Sequence, residues 1–515
     1  MNAGTIPAKW ARLAPGRDAV IDATSGRRVT FAELEDRVRR AGNALRTGLG
    51  IPTGERVAIL SRNGPEFLEA YFAAGRRGLV AQPLNWRLGA EELARILEDG
   101  RPRALLFSRE FEDVATELRS RVDLDHWIDW GASTSAWEEL LARADPSDDA
   151  IEAGDADPFF ILYTGGTTGE SKGALHTHGS ATMGMLNQTV AERIVPSDVY
   201  MLTGQMFHIP VLLAMNYLAH GCPLVLMNFE ARLALQLIER ERVSAFLGIT
   251  TMLNWMMAES GFDRFDLRSL RNVQYGGGPM PPDVIASALD AFPCELIQGY
   301  GQTEGATMTF LSQEDHRRAL AGDHAERLHS CGREGFVTEV RVVDPEGRDV
   351  ARDGRATGEI VVRSPANMRE YWGKEELTRQ TIRDGWMWTG DVATWDEERY
   401  VFIVDRAKDM IITGGENVYS AQVEAAIHRH PAVLEAAVIG VPDAEWGEAV
   451  KAVVVLKPDT TATAEEIIET ARTHLAGYQK PRSVDFVDAL PKAPTGKILK
   501  RELRAPYWKD RERGV

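Results

Sequence analysis

Short apolar strands alternate with amphipathic helices along this chain, and this feature restricts its fold more than any other. Arg56–Leu60 and Ala104–Phe107 are short and apolar, as buried strands are, whereas Pro65–Arg77 has helical periodicity. Thr30 and Glu33 have the spacing of a capping box, so a helix is expected to start after Thr30. Repeated strand–helix–strand units predict largely parallel sheets flanked by helices, which is the α/β class.

The pattern changes twice further along the chain. It continues from Phe159 to about Phe310, and between Val337 and Trp395 it gives way to short strands separated by Asp, Gly and Pro. These strands predict a small, distorted barrel-like sheet. After Asp405 a smaller α+β pattern begins, which predicts a separate C-terminal domain.

Charge and hydropathy exclude some classes of function. The formal net charge of −17 disfavours a nucleic-acid partner, because phosphate backbones attract basic surfaces. The first 20 residues contain no apolar segment typical of a secretory signal. The most apolar stretch, Met206–Phe229, is interrupted by His, Pro, Asn and Gly and is not expected to span a membrane. We therefore expect a cytoplasmic protein.

A glycine- and threonine-rich loop follows the apolar segment Phe159–Leu162. Glycine lets backbone N–H groups turn towards an anion, while threonine hydroxyls and a lysine add donors and positive charge, so the loop suits a polyphosphate. It is not a Walker A loop, because Ser171 precedes Lys172 and Gly173 follows it. The alternative is a surface turn with no ligand. The candidate phosphate-binding residues are Thr164, Gly165, Gly166, Thr167, Thr168, Gly169 and Lys172.

The loop resembles the phosphate loop of the adenylate-forming superfamily, which includes acyl-CoA synthetases, firefly luciferase and nonribosomal peptide adenylation domains. The usual form is Tyr-Thr-Ser-Gly-Thr-Thr-Gly-x-Pro-Lys-Gly, and this chain has Gly165 in place of Ser and Ser171 in place of Pro. Neither change removes the threonines or Lys172. Four further segments match the family in the family's order, so the chain from about Tyr163 to Leu503 is identified as a member.

The segment Gln298–Glu304 is the second match. The resemblance implies that Tyr300 stacks on adenine, Thr303 hydrogen-bonds the α-phosphate and Glu304 helps to hold Mg²⁺, which prefers carboxylate and phosphate oxygens. Taken alone, the segment is typical of a turn that enters a helix. The neighbouring residues that the resemblance places at the nucleotide are Gly278, Gly299, Gly301 and Gln302.

Two further matches precede the C-terminal domain. The resemblance implies that Asp391 accepts both ribose hydroxyls, as a charged acceptor can, and that Arg406 contacts the ribose or phosphate. Taken alone, Asp391 is typical of a turn. The resemblance also implies an N-terminal domain of residues 1–405 and a mobile lid domain of residues 406–515 that turns about Lys408. The resemblance places Gly414 and Gly415 in the loop that lines the tunnel for the pantetheine chain of coenzyme A.

The last match is Leu490–Leu503, in which Lys497 corresponds to the catalytic lysine of the adenylation step. An ammonium group there bridges the carboxylate of the acid and the α-phosphate and offsets their repulsion. Without the resemblance, Lys497 is one of many lysines in a basic, solvated run.

The resemblance places the acyl pocket on apolar segments and glycines, which predict a bulky or long hydrophobic acid. Fatty, aryl and polycyclic acids all remain open. Amino-acid-activating relatives usually carry Asp where His208 stands, so an amino acid is disfavoured. His208 either contacts the acyl group or gates the pocket, or it is a core histidine. The predicted pocket residues are Phe207, His208, Val211, Thr251, Gly276, Gly277, Gly278 and Gly301.

Together these matches imply an ATP-dependent carboxylic acid–CoA ligase that uses Mg²⁺, ATP and coenzyme A, with Lys497, Thr303 and His208 as catalytic candidates. The nearest alternative is a stand-alone adenylating enzyme that loads an acyl carrier protein. A luciferase-like monooxygenase is a third possibility, and a non-enzymatic binding protein would be expected to lack Lys497, Asp391 or Glu304. A homodimer is the default expectation for a soluble enzyme.

Overall fold

The computed structural model describes residues 2–147, 150–164, 171–278, 280–414, 416–443, 445–492 and 498–509. The chain divides into two compact units, one of residues 1–340 and 362–387 and one of residues 341–361 and 388–515. This division does not test the predicted domain boundary between residues 405 and 406, which stays a prediction.

The first unit contains a seven-stranded sheet with a parallel centre. The inner strands run parallel, and the strands Pro158–Thr164 and Lys172–Thr177 form an antiparallel hairpin at one side. Most residues of the predicted phosphate loop fall between these two strands in sequence and lie outside the described residues. In spatial order the strands are Glu370–Tyr371, Lys172–Thr177, Pro158–Thr164, Val80–Pro83, Arg56–Leu60, Ala104–Ser108 and His126–Trp130.

A nine-stranded sheet forms the other half of this unit, with a parallel centre and antiparallel strands at both ends. In spatial order its strands are Arg333–Glu334, Ala306–Leu311, Glu295–Gln302, Asn272–Gly276, Ala245–Leu247, Tyr200–Leu202, Leu224–Leu226, Asp18–Asp22 and Arg28–Thr30.

Both sheets pack on one shared layer of helices, here called the inner layer. It contains the helices Phe31–Asn43, Pro65–Arg76 and Pro210–Ala219, whose buried side chains join one apolar cluster with residues from both sheets. Along each strand, alternate residues face this cluster and the helices on the outer side, as Tyr200 and Met201 show. The first unit therefore has helical layers on both faces of each sheet.

Further helices complete the first unit, and some of them also contribute residues to the inner cluster. The remaining α-helices of the first unit are Ile6–Leu13, Ala90–Gly100, Glu112–Arg119, Ala136–Arg143, His178–Glu192, Ala231–Glu241, Thr250–Met257, Pro282–Ala291, Gln313–Leu320 and Glu375–Thr381.

The second unit contains most of a five-stranded sheet curled into a half-barrel, and a second five-stranded sheet with helices against it. The helices Ser420–Ile427 and Ala464–Arg472 share an apolar cluster with one face of the second sheet. The half-barrel strands are Glu339–Val343, Gly358–Arg363, Trp386–Trp395, Ile382–Arg383 and Val401–Arg406. The strands of the second sheet are Glu416–Val418, Ile411–Thr413, Gly447–Leu456, Val433–Asp443 and Ser483–Phe486, and a short helix, Lys500–Arg504, follows.

The predicted fold class is confirmed. The helix after Thr30 starts at Phe31 with both hydrogen bonds of the capping box, and the predicted strand Arg56–Leu60 is present with the same bounds. The predicted barrel-like region is the half-barrel. Within the described part of the chain, no helix has the length and hydropathy needed to cross a membrane.

An ion network joins three helices of the first unit. The Arg37 guanidinium lies 2.6 Å from a carboxylate oxygen of Glu69, which is fully buried, and 2.6 Å from one of Glu138. The indole N–H of Trp137 donates to the second Glu69 oxygen at 3.1 Å. The Glu69 charge is therefore buried but fully hydrogen-bonded.

We expect Arg37→Ala to lower the free energy of unfolding by about 3–5 kcal/mol, because it leaves the buried Glu69 carboxylate without its cation. Urea denaturation at neutral pH measures the change. The matched control is Arg143→Ala, since Arg143 pairs with Glu139 at 3.4 Å with both side chains largely exposed. That variant is expected to change stability by about 0.5 kcal/mol or less, and equal losses in the two variants would contradict the assignment.

Candidate active site

The segment that carries Tyr300, Thr303 and Glu304 is a β-hairpin. Strand Glu295–Gln302 pairs antiparallel with Ala306–Leu311, and Thr303–Gly305 form the turn between them. Taken alone, the segment is typical of a turn that enters a helix; the structure contains the turn, but a strand follows it. The second strand forms because Ala306–Leu311 pairs along both edges of the sheet, a long-range contact that local sequence does not report.

Glycines let the backbone strands of this hairpin approach closely. A Cβ atom on Gly301 would lie 1.9 Å from the Ala306 carbonyl oxygen, and one on Gly276 would lie 2.2 Å from the Gly299 carbonyl oxygen. Real Cβ atoms do not tolerate such distances, so glycine is required at both positions. Gly277 has a φ of +76°, and a Cβ atom on Gly277 or Gly278 would have no neighbour within 4 Å. Gly276 and Gly301 are therefore closely packed, whereas Gly277 and Gly278 leave open space after strand Asn272–Gly276.

Three hydrogen bonds hold the Thr303–Glu304 turn. The His176 ring nitrogen Nε2 lies 2.8 Å from the Thr303 carbonyl oxygen, and the Met368 N–H donates to the Glu304 carbonyl oxygen at 2.6 Å. The Tyr371 hydroxyl donates to Glu304 Oε1 at 2.6 Å. Burial, together with the Glu304 charge and hydrogen bond, raises the pKa of Tyr371 well above its ordinary value, so this hydroxyl keeps its proton. The turn is thus fixed by donors from the seven-stranded sheet and its neighbouring segment.

The described ends of the phosphate loop lie next to this turn. The Lys172 ammonium lies 5.5 Å from the centre of the Tyr371 ring. Because Tyr371 also binds Glu304, the strand that begins at Lys172 and the Thr303–Gly305 turn meet at one side chain. Thr164 donates from its hydroxyl to the Lys172 carbonyl at 3.5 Å. The predicted residues Gly165, Gly166, Thr167, Thr168 and Gly169 lie outside the described residues.

Ser171, which replaces the family's proline, is hydrogen-bonded. Its hydroxyl donates to the Glu92 carboxylate at 3.3 Å, at the start of helix Ala90–Gly100. This bond supplies a constraint at the position where the family uses the proline ring.

The predicted acyl residues Phe207 and Val211 are buried in the inner layer. His208 packs on Phe207 with 4.5 Å between ring centres, and its Nε2 atom is buried without a hydrogen-bond partner in the described part of the chain. Burial, aided by the Arg87 charge, lowers the pKa of His208 to about 4, so its ring is neutral near pH 7. Thr251 is exposed at the start of its helix, and its predicted role stays a prediction.

Sequence reasoning missed Gln274, which lies beside the predicted pocket glycines. Val273 and Tyr275 face the outer cluster, so Gln274 and Gly276 face the inner layer. The Gln274 side chain is buried, and its Oε1 atom has no hydrogen-bond partner among the described residues. A Cβ atom on Gly299 would lie 3.3 Å from its Nε2 atom. A polar residue at a position where a strand should be apolar is the signal that could have identified it.

The second unit carries the predicted ribose site. Asp391 lies within strand Trp386–Trp395. The sequence pattern around Asp391, taken alone, would instead suggest a turn. Its side chain is buried, and Arg406 on the paired strand holds Asp391 Oδ1 at 2.8 Å. The two residues are directly opposite in the strand register, which explains why residues 15 apart in sequence meet. The structure therefore brings the two predicted ribose-contacting residues together.

Lys408 follows the strand Val401–Arg406, at the point where the half-barrel chain leaves for the second sheet. Gly414 has a φ of +60°, and a Cβ atom there would lie 2.5 Å from the Trp446 ring. Ser420, where the family often has proline, accepts a hydrogen bond from the Lys500 ammonium at 2.6 Å and donates to Asp405 at 2.7 Å. Gly415 and Lys497 lie outside the described residues.

Glu304 is suited to share a metal ion with phosphate oxygens. One of its carboxylate oxygens is bound by Tyr371, and the other has no hydrogen-bond partner in the described part of the chain. The described residues contain no group of three or more His, Cys, Asp or Glu that could hold an ion by themselves. This donor set fits Mg²⁺, which keeps few protein ligands when substrate phosphates supply the rest.

Comparison with known proteins assigns the family. The model of the AMP-binding enzyme family matches residues 7–372, and that of the AMP-binding enzyme C-terminal domain matches residues 422–497. The chain belongs to the AMP-binding enzyme family. The predicted assignment to the acyl-CoA synthetases of the adenylate-forming superfamily is thereby confirmed.

Several relatives match this chain over nearly all of its length. A feruloyl-CoA synthase of Amycolatopsis sp. is 38% identical over 98% of this chain and 99% of its own. The long-chain-fatty-acid–CoA ligase FadD13 of Mycobacterium tuberculosis is 35% identical, with 98% of both chains covered. A fatty acid–[acyl-carrier-protein] ligase, ScoC, of Streptomyces coeruleorubidus is 34% identical over 95% of this chain and 94% of its own.

Solved structures agree with this assignment. ATP-bound MatB from Rhodopseudomonas palustris is 29% identical, with a TM-score of 0.86 and 99% of both chains covered. The amide bond synthetase McbA from Marinactinospora thermotolerans is 32% identical, with a TM-score of 0.87, over 98% of this chain and 100% of its own.

We expect His208→Phe to weaken the pH dependence of stability in the acid range. The folded-state pKa of about 4 lies below the ordinary value of 6.5, so between these values the unfolded chain binds a proton that the folded chain excludes. The stability contributed by the neutral ring is therefore present above about pH 6.5 and is lost as the pH falls towards 4. Replacing the ring should reduce the slope by roughly 1.4 kcal/mol per pH unit.

Urea denaturation of both proteins at about pH 6.5, 5.5 and 4.5 measures this slope. Parallel curves for wild type and variant would show that His208 titrates in the folded protein as it does in the unfolded chain.

Proposed function

We propose that this protein is an ATP-dependent carboxylic acid–CoA ligase that forms an acyl-adenylate and then an acyl-CoA. The observation that carries the proposal is the junction at Tyr371. This side chain hydrogen-bonds Glu304 at 2.6 Å and lies 5.5 Å from the Lys172 ammonium, so the phosphate-loop motif and the hairpin motif converge. Membership of the AMP-binding enzyme family and the names of the relatives support the same activity.

In the first step, the carboxylate of the acid attacks the α-phosphorus of ATP, and pyrophosphate leaves. Thr167, Thr168 and Lys172 hold the β- and γ-phosphates, while Thr303 binds the α-phosphate and Tyr300 stacks on adenine. Asp391 and Arg406 bind the ribose. Lys497 offsets the charge of the two approaching anions, so catalysis is mainly positioning and electrostatic stabilisation.

Glu304 would hold Mg²⁺ together with the phosphate oxygens. The ion supplies positive charge that favours attack at phosphorus and departure of pyrophosphate. Tyr371 positions the Glu304 carboxylate for this task through its hydroxyl.

In the second step, the thiolate of coenzyme A attacks the acyl carbonyl, the bond to AMP breaks, and AMP leaves. The C-terminal domain turns about Lys408 between the steps and withdraws Lys497, and the pantetheine chain passes Gly414 and Gly415. Gly414 has a φ of +60°, a backbone conformation that favours glycine, and the Trp446 ring lies 2.5 Å from the position of a Cβ atom there. The proposed motion also protects the acyl-adenylate from water.

The acid proposed is an aryl or other hydrophobic acid that carries a polar group away from its carboxylate. The buried Oε1 atom of Gln274 has no partner among the described residues, and an unpaired buried acceptor is unfavourable by about 1–3 kcal/mol. A hydroxyl on the acid could donate to this atom and remove the penalty, whereas a saturated fatty chain could not. The feruloyl-CoA synthase relative, whose acid by its name is aromatic, supports this choice.

The acceptor is decided by one assay. Purified protein is incubated with Mg-ATP and fatty, aryl and polycyclic acids, with and without coenzyme A, and products are identified by mass spectrometry. AMP and an acyl-CoA formed only with coenzyme A support the ligase. Acyl-AMP that accumulates while coenzyme A is unused supports loading of a carrier protein, the activity that the name of ScoC describes for that relative.

We expect Lys497→Ala to separate the two steps. The rate of adenylation, measured as the release of pyrophosphate, should fall by about 100-fold or more, because a preorganised charge at the α-phosphate is lost. Thioester formation from a supplied acyl-adenylate should stay within about threefold of wild type. Lys492→Ala is the control on the same segment, since Lys492 is half-exposed and pairs with Glu435. Equal losses in both steps for Lys497→Ala would contradict the two-state assignment.

We expect Gln274→Leu to abolish a preference for hydroxylated acids. The measurement is kcat/KM for 4-hydroxycinnamate and for cinnamate, which differ by one hydroxyl. The wild-type protein should prefer the hydroxylated acid by about 10–100-fold, because the plain acid leaves the Gln274 Oε1 atom unpaired, and the variant should prefer neither.

Gln313→Leu is the control for Gln274→Leu. Gln313 is also a buried amide, but its side chain donates to the Ala191 carbonyl at 3.3 Å. Its loss should lower stability without changing the ratio of the two acids. A preference that survives in Gln274→Leu would exclude the amide as its source.

A further inference from the structure

His176 makes a contact that its sequence position does not suggest. It lies in strand Lys172–Thr177 of the seven-stranded sheet, yet its Nε2 atom is 2.8 Å from the main-chain carbonyl oxygen of Thr303, 127 residues away in the nine-stranded sheet. A carbonyl oxygen only accepts hydrogen bonds, so the ring nitrogen is the donor.

The His176 ring has little freedom to move. It stacks on Phe160 with 5.0 Å between ring centres and an angle of 23° between planes, and its Nδ1 atom lies 3.2 Å from the Ser180 hydroxyl oxygen. The side chain is fully buried, and burial lowers the pKa of His176 to about 4. Near pH 7 the ring is therefore neutral, with its proton on the nitrogen that faces Thr303.

The carbonyl that His176 binds belongs to the turn between the two hairpin strands. The adjacent residue Glu304 is bound twice from the same side, at its carbonyl by the Met368 N–H and at its carboxylate by Tyr371, each at 2.6 Å. The strand of Tyr371 pairs with Ala174 and Leu175, directly before His176. One sheet edge thus places donors on two consecutive residues of the turn.

We propose that His176 is a positioning residue for adenylation. By holding the Thr303 carbonyl it sets the direction of the Thr303 hydroxyl and the Glu304 carboxylate, and it ties them to the strand that begins at Lys172. This inference rests on the roles of Thr303 and Glu304 in the proposed function.

The first test is His176→Leu, which keeps much of the volume but removes the donor. We expect kcat for adenylation to fall by about 10–100-fold with KM for ATP changed by less than about threefold, because a displaced turn misplaces groups that act on the transition state. Thioester formation from a supplied acyl-adenylate should stay within about threefold. His176→Gln, which can donate from its amide, should recover part of kcat.

A double-mutant cycle with Thr303→Ala distinguishes positioning from general destabilisation. If His176 acts through Thr303 and Glu304, His176→Leu should slow adenylation less in the Thr303→Ala background than in the wild type, because one of the two positioned groups is then already absent, whereas independent effects multiply. Multiplying effects would overturn the inference.

The matched control is His316→Leu. His316 is also buried and donates from Nδ1 to a main-chain carbonyl, that of Ser312, at 2.7 Å. We expect a similar loss of thermal stability in both leucine variants but an unchanged kcat in His316→Leu. An unchanged kcat in His176→Leu, or an equal fall in both, would overturn the inference. A wild-type protein that forms no acyl-adenylate from any acid would instead overturn the proposed function.

Discussion

Both sheets of the first unit bury one face against the same layer of helices, and the position of the candidate site follows from this sharing. Neither sheet can move on the inner layer without breaking the apolar cluster that contains residues of both. The edge strands of one sheet are therefore fixed in position relative to those of the other, so hydrogen bonds between the two sheets have defined lengths. His176 and Tyr371 use this rigidity to reach the hairpin turn of the other sheet. The geometry at Thr303 and Glu304 is a product of core packing as much as of local sequence.

Local sequence patterns were sufficient to predict many of the helices and strands. The strand Arg56–Leu60 and the helix after Thr30 are decided by residues within a few positions of each other, and both are present. Taken alone, the segment that contains the Thr303–Gly305 turn is typical of a turn before a helix, whereas the strand that follows forms through pairing with distant strands. The contacts of His176 and Tyr371 span 127 and 67 residues, so no spacing rule could have identified them. Asp391 and Arg406 were identified by resemblance, and their direct pairing follows from strand register.

At both positions where this chain has serine in place of the family's proline, hydrogen bonds restrain the backbone. A proline restrains its own backbone by fixing φ, whereas Ser171 and Ser420 are restrained by hydrogen bonds to other elements. Ser171 is tied to Glu92, and Ser420 is tied to Asp405 and Lys500. A hydrogen bond to another element can be broken when that element moves, whereas the restraint from a proline ring is permanent. In this chain the loop end and the start of helix Ser420–Ile427 are therefore restrained by their surroundings.

The inner face of strand Asn272–Gly276 has a second polar residue behind Gln274. Asn272 lies two positions earlier on the same face and is buried, and neither atom of its side-chain amide has a hydrogen-bond partner among the residues that the structure describes. Two residues along a strand correspond to about 6.6 Å. A shorter side chain at position 274 would bring a second unpaired amide, about 6.6 Å further along the strand, into use. Under the proposed function, the length of the accepted acid and a polar contact at its end would then both depend on one position.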